Sequence, residues 1–436
     1  MSGEKSFEIL EKIFIPKNKA TIEEIKGYSI KYGSVVENGE IIDEVLVSYF
    51  KAPKSYTTEN MCEINSHGGN VIVRKILELC LKNGANLAEP GEFTKRAFLN
   101  GRIDLLQAES VVDVINAKSE KEAKTAVKQL EGFLSREIAG IKKKIMDVMI
   151  NIEVAIDYPE YDVDDVTNNQ ILLMLNSIEA KLTKLERSFD NGKIIKEGIK
   201  TAIIGRPNAG KSSLLNSILR EERAIVTEYE GTTRDTIEEF VTIEGIPLKL
   251  IDTAGIRDAK DEVEKIGIAK SREIANTADL VIAIFDSSKD LDQEDLEILE
   301  IAKKKKSIII LNKLDLESKI NEEDLRLKKA SDNIIKISAL NNMGIEKIYK
   351  TITELFNLNE INLDNEVVIT NVRQKNFISQ AIKNVKKTKD TVQQQMPLDI
   401  VAIFIKDILE DLGNITGEVV TEDIIDEIFA KFCLGK

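Results

Sequence analysis

The stretch Gly205-Arg-Pro-Asn-Ala-Gly-Lys-Ser212 lies between a short β-rich run at residues 201–204 and a helical pattern at residues 213–219. The spacing GxxxxGK[ST] between a strand and a helix predicts a loop whose backbone N–H groups surround phosphate oxygens. In that interpretation Lys211 neutralises the β and γ oxygens, and the Ser212 hydroxyl binds Mg²⁺. The alternative is a chance glycine turn, and three further motifs in the expected order weigh against it.

Two of these motifs follow predicted strands. In Asp252-Thr-Ala-Gly255, the Asp252 carboxylate can reach Mg²⁺ through water and the Gly255 N–H can meet a γ-phosphate. In Asn312-Lys-Leu-Asp315, the Asp315 carboxylate can accept hydrogen bonds from N1–H and the exocyclic amine of guanine. Adenine would leave this carboxylate unpaired, so we expect discrimination against adenine of roughly 10⁴.

The third motif is Gly231-Thr-Thr-Arg-Asp235, where a threonine hydroxyl can complete the Mg²⁺ shell. Ser338-Ala-Leu340 follows the last predicted strand and is expected to close over the base. The motifs together predict a GTPase of the P-loop class. Ile256 stands where Ras-like enzymes carry the glutamine that orients water, so another group must orient it.

The amino-acid composition narrows the classes of protein to which the chain can belong. The 436 residues, 42% hydrophobic and 31% charged, predict two or three globular cores. The apolar runs are far shorter than the roughly 18 residues of a membrane span, so we expect a soluble, cytoplasmic protein that does not contact a membrane. The net charge of −14 weighs against non-specific wrapping of nucleic acid by the whole surface.

Histidine and cysteine usage excludes several kinds of site. His67 is the only histidine, which rules out a Ser-His-Asp triad away from it and HExxH zinc sites. We interpret His67 as a residue that ends a strand rather than as a catalyst. Cys62, Cys80 and Cys433 are widely spaced, so neither a disulfide framework nor a zinc cluster is expected.

Hydrophobic periodicity predicts a multidomain chain of α/β and α parts. Residues 1–100 read as a mixed α/β domain, and residues 101–197 as long helices interrupted by an acidic loop at 157–165. Residues 198–357 alternate strands and helices, which predicts a mainly parallel sheet with helices on both faces. Residues 358–436 are again helical, so we expect the α/β domain to be inserted into a discontinuous helical domain.

The nucleotide-binding motifs closely resemble those of the MnmE (TrmE) family of bacterial and organellar tRNA-modification GTPases. Two further stretches carry the same resemblance, Asp261-Glu-Val-Glu-Lys-Ile-Gly267 and Phe432-Cys-Leu-Gly-Lys436. The resemblance extends to Glu63-Ile-Asn-Ser-His-Gly-Gly69 and to Arg96-Ala-Phe-Leu-Asn-Gly-Arg-Ile-Asp-Leu105. It implies an N-terminal α/β domain that binds 5-formyltetrahydrofolate or a related reduced folate and forms a homodimer. It also implies a Ras-like GTPase domain inserted into a discontinuous helical domain.

The resemblance further implies a reaction. Family members act with an FAD-binding MnmG (GidA) subunit in a heterotetramer. They add a carboxymethylaminomethyl- or aminomethyl-type group to C5 of the wobble uridine, position 34, of certain tRNAs. Their GTP hydrolysis is stimulated by K⁺.

Site residues follow from the resemblance by motif position. It implies folate contacts at Glu63, Arg102 and Lys436, with Cys433 beside them as a catalytic candidate. It implies Mg²⁺ ligands at Ser212 and Thr233, and K⁺ ligands at Asn208, Thr227, Tyr229 and Thr232. Lys211, Thr233 and Glu264 are the implied catalytic residues of hydrolysis, with Glu264 orienting the attacking water. The implied nucleotide and ion contacts are Asn208, Ala209, Gly210, Lys211, Ser212, Ser213, Thr227, Glu228, Tyr229, Glu230, Gly231, Thr232, Thr233, Asp252, Thr253, Ala254, Gly255, Asn312, Lys313, Asp315, Ser338 and Ala339.

Two alternatives stay open at this point. An arginine finger from Arg206, Arg234 or Arg257 would replace K⁺ and work equally well in Na⁺. A GTPase that binds RNA or ribosomal particles only as a timer would replace the modification enzyme. Such a timer has no need of Glu63, Arg102 and the C-terminal tail.

Overall fold

The computed structural model describes residues 1–18, 27–157, 164–221, 239–251, 267–321, 323–358, 367–432 and 435. Contacts within the chain divide it into two compact units. One contains residues 1–112, 129–175 and 383–436, and the other contains residues 113–128 and 176–382. The predicted domain bounds at residues 100, 197 and 357 remain predictions.

The first unit begins with a four-stranded antiparallel sheet in the order β1-β2-β3-β4. Alternate residues of its strands, including Val35, Val47 and Cys62, are buried against Leu10 and Ile76 of two helices. The predicted strand at 40–50 and helix at 70–82 are confirmed. The elements are α1 (Ser6–Ile13), β1 (Phe14–Pro16), β2 (Tyr28–Glu37), β3 (Glu40–Phe50), β4 (Met61–Asn65), α2 (Asn70–Lys82) and α3 (Glu92–Leu99).

The opposite face of this sheet carries exposed apolar side chains. Tyr28 and Ile30 of β2 are each 68% exposed, and Leu46 of β3 is 48% exposed. Strand pairing places Ile30 opposite Ser48, and Ser48 opposite Glu63, in one row across β2, β3 and β4. Glu63 therefore lies on the same face as these apolar residues.

Long helices form the predicted helical parts. Ile138, Ile141, Ile145, Val148 and Ile152 recur at three- and four-residue steps along one helix and are buried. The predicted acidic loop at 157–165 is too long at both ends, because one helix extends to Asp157 and the next begins at Asp164. Residues 158–163 lie outside the described part. The helices are α4 (Leu105–Asn116), α5 (Glu120–Leu130), α6 (Phe133–Asp157), α7 (Asp164–Glu197), α13 (Val372–Gln393), α14 (Leu398–Thr416) and α15 (Glu422–Phe429). None of the helices in the described ranges is both long and apolar enough to span a bilayer.

The second unit contains a six-stranded sheet in the order β10-β9-β8-β5-β7-β6, parallel except for the β6–β7 pair. Ile308 and Ile310 pack on one face and Ile309 and Leu311 on the other, which confirms a parallel sheet covered on both sides. The elements are β5 (Ile199–Ile204), α8 (Lys211–Glu221), β6 (Glu239–Ile243), β7 (Ile246–Leu250), α9 (Gly267–Thr277), β8 (Leu280–Asp286), α10 (Gln293–Ala302), β9 (Lys306–Asn312), α11 (Leu325–Lys328), β10 (Ile334–Lys336) and α12 (Ile345–Leu355).

Strand order locates the functional edge of this sheet. The chain leaves β5 toward β7 on one side and returns to β8 on the other, so the strand order reverses at β5. Ligands of open α/β sheets bind at the carboxyl ends of the strands at such a reversal. Residues 205–210, which join β5 to α8, lie at this point.

Candidate active site

The loop after β5 fits closely against neighbouring backbone and side chains. A Cβ atom on Gly205 would lie 2.4 Å from the Ile284 carbonyl oxygen, and one on Gly210 would lie 2.1 Å from Asn312 Nδ2. Gly210 also has a φ of 103°, which side-chain-bearing residues rarely adopt. The glycines of the motif are therefore required by space and backbone conformation.

Lys211 crosses the inside of this loop. Its Nζ donates hydrogen bonds to the carbonyl oxygens of Gly205, at 2.8 Å, and Arg206, at 2.7 Å. Lys211 also begins α8, and Ser212 and Ser213 follow it in the first turn, where backbone N–H groups have no helical acceptor. The loop thus brings an ammonium group and backbone donors together, a combination that suits phosphate.

Asn312 joins the phosphate loop to the two loops expected to hold a base. Its Nδ2 donates to the Ala209 carbonyl oxygen at 2.9 Å, and its Oδ1 accepts from the Ala339 N–H at 3.0 Å. The side chain is buried, so both bonds form away from water. The structure therefore brings Ala209, Asn312 and Ala339 together as one assembly.

Asp315 lies at the same edge. Its Oδ1 accepts a hydrogen bond from Ser338 Oγ at 2.5 Å, and Ser217 Oγ of α8 donates to the Ala339 carbonyl oxygen at 2.9 Å. Asp315 is exposed at the open edge of the sheet, where its carboxylate can meet the edge of a base. The geometry suits a ligand with a purine at one end and phosphates at the other.

Lys313 and Asp286 form an ion pair beside this edge. Lys313 has a φ of 67°, and its Nζ lies 2.7 Å from Asp286 Oδ2. Burial alone would raise the pKa of Asp286, but hydrogen bonds from Lys313 and Ser288 outweigh it and hold the pKa below its usual range. Asp286 is not among the site residues predicted from the sequence, although its position at the carboxyl end of a buried strand was the available signal.

Several predicted site residues lie outside the described residues and stay predictions. They are Thr227, Glu228, Tyr229, Glu230, Gly231, Thr232, Thr233, Asp252, Thr253, Ala254, Gly255, Glu264, Cys433 and Lys436.

Two of the predicted folate contacts, Glu63 and Arg102, lie in the described part of the first unit. Arg102 Nη1 donates to the Tyr56 carbonyl oxygen at 3.1 Å, and its guanidinium lies 4.7 Å from the centre of the Tyr56 ring. These two residues, with Tyr28, Phe50 and Lys54, line a cavity of about 440 Å³. Glu63 is not among the residues that line this cavity.

The lone histidine pairs with an aspartate at the surface, and the described cysteines are buried. His67 Nδ1 lies 2.7 Å from Asp43 Oδ1, and the His67 N–H donates to the other oxygen of that carboxylate. Cys62 and Cys80 are buried in the core of the N-terminal sheet. Burial raises the pKa of the Cys62 thiol to about 11, so it is not a thiolate at neutral pH.

We predict that Asn312→Ala weakens GTP binding by roughly 10- to 100-fold, because it leaves the Ala209 carbonyl and the Ala339 N–H without their partners. Hydrogen exchange at the Ala339 amide should accelerate in the same variant. Asn341→Ala is the matched control, since Asn341 is exposed in the same loop. Unchanged GTP affinity in Asn312→Ala would contradict the bridging role.

Family models and known proteins resemble this chain along its length. The model of the MnmE helical domain matches residues 105–433, and that of the N-terminus of the GTP-binding protein TrmE matches residues 1–102. Proteins named tRNA modification GTPase MnmE from Acetivibrio thermocellus and Clostridioides difficile are each 49% identical, over 100% of this chain and 95% of the relative. The G domain of the T. maritima FeoB iron transporter is 26% identical, with a TM-score of 0.27, and the match covers 36% of this chain and 98% of that domain. Because the helical-domain match spans most of the chain and the relatives align along all of it, the chain belongs to the MnmE (TrmE) family.

Proposed function

We propose that the chain is a GTP-hydrolysing tRNA modification enzyme that acts with an FAD-binding MnmG (GidA) subunit in a heterotetramer. It adds a carboxymethylaminomethyl- or aminomethyl-type group to C5 of the wobble uridine, position 34, of certain tRNAs in the cytoplasm. The observation that carries the proposal is the Asn312 bridge, which joins a phosphate loop to a guanine-type loop in a chain of this family.

GTP binding in this proposal uses residues at one edge of the sheet. The phosphates lie in the loop of residues 205–210, with Lys211 neutralising the β and γ oxygens, and the base meets the Asp315 carboxylate. Ser212 and Thr233 would hold Mg²⁺, and the ion would supply positive charge that neutralises the phosphate oxygens. Glu264 orients the attacking water, because Ile256 stands where Ras-like enzymes carry the glutamine that does so.

We propose K⁺ rather than an arginine finger as the additional positive charge. Asn208 has a φ of 61° in the phosphate loop, a conformation that asparagine tolerates better than most residues. In this proposal K⁺ would take an oxygen ligand from Asn208, and the remaining ligands would come from Thr227, Tyr229 and Thr232. The side chain of Arg206, one of the competing arginines, is already paired with Asp292, the N-cap of α10, and with Asp295 in its first turn. This pairing supports the ion over a finger from this position.

Folate binding and dimerisation are proposed at the exposed face of the N-terminal sheet. The apolar residues Tyr28 and Ile30 offer a surface for a second copy, and Glu63 lies in the same cross-strand row as Ile30. The carboxylate of Glu63 suits the donor edge of a pterin, and the Arg102 guanidinium suits a glutamyl carboxylate. Lys436 and Cys433 complete the proposed folate site.

We predict that Ile30→Asp yields a monomer and lowers folate affinity at least about tenfold, because a buried charge opposes association. Light scattering and calorimetry with 5-formyltetrahydrofolate measure the two effects. Leu173→Asp is the control, since Leu173 is 70% exposed on α7. A dimer that persists in Ile30→Asp would reject this face, and tight folate binding by an Arg102→Ala variant would reject the proposed carboxylate contact.

The proposed function is tested by nucleoside analysis of tRNA from cells that lack this protein. We expect the C5-modified wobble uridine to disappear and to return with the unaltered chain but not with Lys211→Ala. If the nucleoside persists and ribosomal particles accumulate instead, the chain is a timer GTPase and the proposal is wrong.

A further inference from the structure

The segment from Asp286 to Asp295 contacts both halves of the nucleotide site, although it belongs to none of the nucleotide-binding motifs. It joins the end of β8 to the first turn of α10. We call residues 286–295 the bracing segment.

One end of the bracing segment holds the phosphate loop through Arg206. The guanidinium pairs through Nη1 with Asp292 and, at 3.4 Å, with Asp295 Oδ2. Its Nε lies 3.3 Å from Glu294 Oε2, an ion pair without hydrogen-bond alignment. The Arg206 carbonyl oxygen in turn accepts the hydrogen bond from Lys211.

The acids that hold Arg206 are themselves fixed. Asp292 is the N-cap of α10 and accepts a hydrogen bond from the Asp295 N–H, while Asp295 accepts one from the Asp292 N–H. This reciprocal capping box sets both carboxylates at the helix start. Asp295 is 6% exposed, so its contact with Arg206 is shielded from solvent.

The other end of the bracing segment holds the base loop. Asp286 pairs with Lys313, the second residue of the Asn312-Lys-Leu-Asp315 motif, and is itself fixed by two hydrogen bonds from Ser288. The next residue, Ser287, donates its N–H to the Asn312 carbonyl oxygen at 3.0 Å. Its carbonyl oxygen accepts from the Lys319 N–H at 2.7 Å.

These contacts lie next to two left-handed residues of the described loops. Asn208 and Lys313 have φ values of 61° and 67°. Non-glycine residues keep such conformations only where the surrounding structure determines them strongly. Arg206 is two residues before Asn208, and Asp286 holds Lys313 directly.

We propose that Arg206 and Asp286 are positioning residues, through which the bracing segment holds the phosphate loop and the guanine loop in their binding geometry. Arg206 acts through the loop backbone that carries Lys211 and Asn208, and Asp286 acts through Lys313. The inference rests on the proposed GTPase activity. It gives the two residues different kinetic effects, because one supports the reacting phosphates and the other supports the base.

The test is steady-state GTP hydrolysis by the full-length chain in K⁺. Arg206→Ala should lower kcat about tenfold, because the loop that holds the reacting phosphates is loosened. Its KM for GTP should stay within roughly threefold of the value for the unaltered chain. Asp286→Asn should raise KM for GTP about tenfold and leave kcat unchanged, since the base end contributes uniform binding. Asp290→Asn, an exposed change within the same segment, should alter neither.

The double variant Asp292→Asn/Asp295→Asn separates positioning from an arginine finger. If Arg206 is a positioning residue, the double variant should lose as much kcat as Arg206→Ala. Combining all three substitutions should then lower kcat no further than either variant does alone. Arg206→Lys, which keeps a single charge, should recover part of the rate. If Arg206 is a finger, Arg206→Ala should lose about 10³-fold or more while the acid variant keeps its rate, and this result would overturn the inference.

Two other outcomes decide the matter. Loss of melting temperature in Arg206→Ala and Asp286→Asn with both kinetic constants unchanged would mean that the contacts only stabilise the fold, and would reject the inference. An unaltered chain that fails to hydrolyse GTP would reject the proposed function and, with it, this inference.

Discussion

The Asp315→Asn variant is expected to lose roughly 10²- to 10⁴-fold in GTP affinity and to gain binding of xanthosine triphosphate. The carboxylate would accept two hydrogen bonds from guanine, and each bond to a charged group contributes about 1.5–3 kcal/mol. An amide cannot accept both, but its NH₂ group can donate to the C2 oxygen of xanthine. Calorimetry with GTP and with xanthosine triphosphate measures both changes in affinity.

The control for this prediction is Asp332→Asn, which makes the same chemical change at an exposed aspartate before β10. It should leave GTP affinity unchanged. Unchanged GTP affinity in Asp315→Asn would remove the assignment of Asp315 to the base, even though Ser338 holds its carboxylate at the correct edge of the sheet.

Hydrolysis is expected to be roughly 10²-fold faster in K⁺ than in Na⁺, because the charge that accumulates on the phosphate oxygens needs a further positive group in a fixed position. A set of ligands fitted to K⁺ would have to contract around Na⁺, whereas Rb⁺ is closer in size and should support most of the rate. Glu264→Ala should slow turnover by a similar factor and spare GTP binding.

Asn208→Gly tests the ion ligand without straining the loop. Glycine adopts the φ of 61° that Asn208 has, so the variant removes only the side chain. Turnover in K⁺ should fall to the Na⁺ rate. Equal rates of the unaltered chain in both salts would reject the ion mechanism in favour of an arginine.

The sequence predicted the parallel sheet, and it predicted that the loops around residues 205–210 and 312–315 follow its strands, because these features are encoded locally. The residues around Gly210 and Asn312 meet at one edge of the sheet once the strands that precede them are parallel, so motif order was sufficient. The predicted helices at residues 371–395 and 398–412 also form, within a few residues of their predicted ends.

The contacts of Arg206 could not be predicted in the same way. Arg206 and Asp295 are 89 residues apart, and no local spacing rule links the second residue of a phosphate loop to the start of a later helix. The apolar outer face of the N-terminal sheet was also missed. The sequence of β2 carried the signal. Tyr28, Ile30 and Tyr32 are apolar on one face of the strand, and the buried Val35 is apolar on the other, as in a strand covered on two faces.

We propose that GTP hydrolysis at this site drives modification of the wobble uridine, and a reconstituted reaction tests this coupling. The reaction combines Asp315→Asn with an MnmG-type subunit, reduced folate and unmodified tRNA, and the C5-modified nucleoside is measured. We expect modification by this variant with xanthosine triphosphate and little with GTP, and the reverse for the unaltered chain. Equal modification by both proteins without any nucleotide would contradict the proposed coupling.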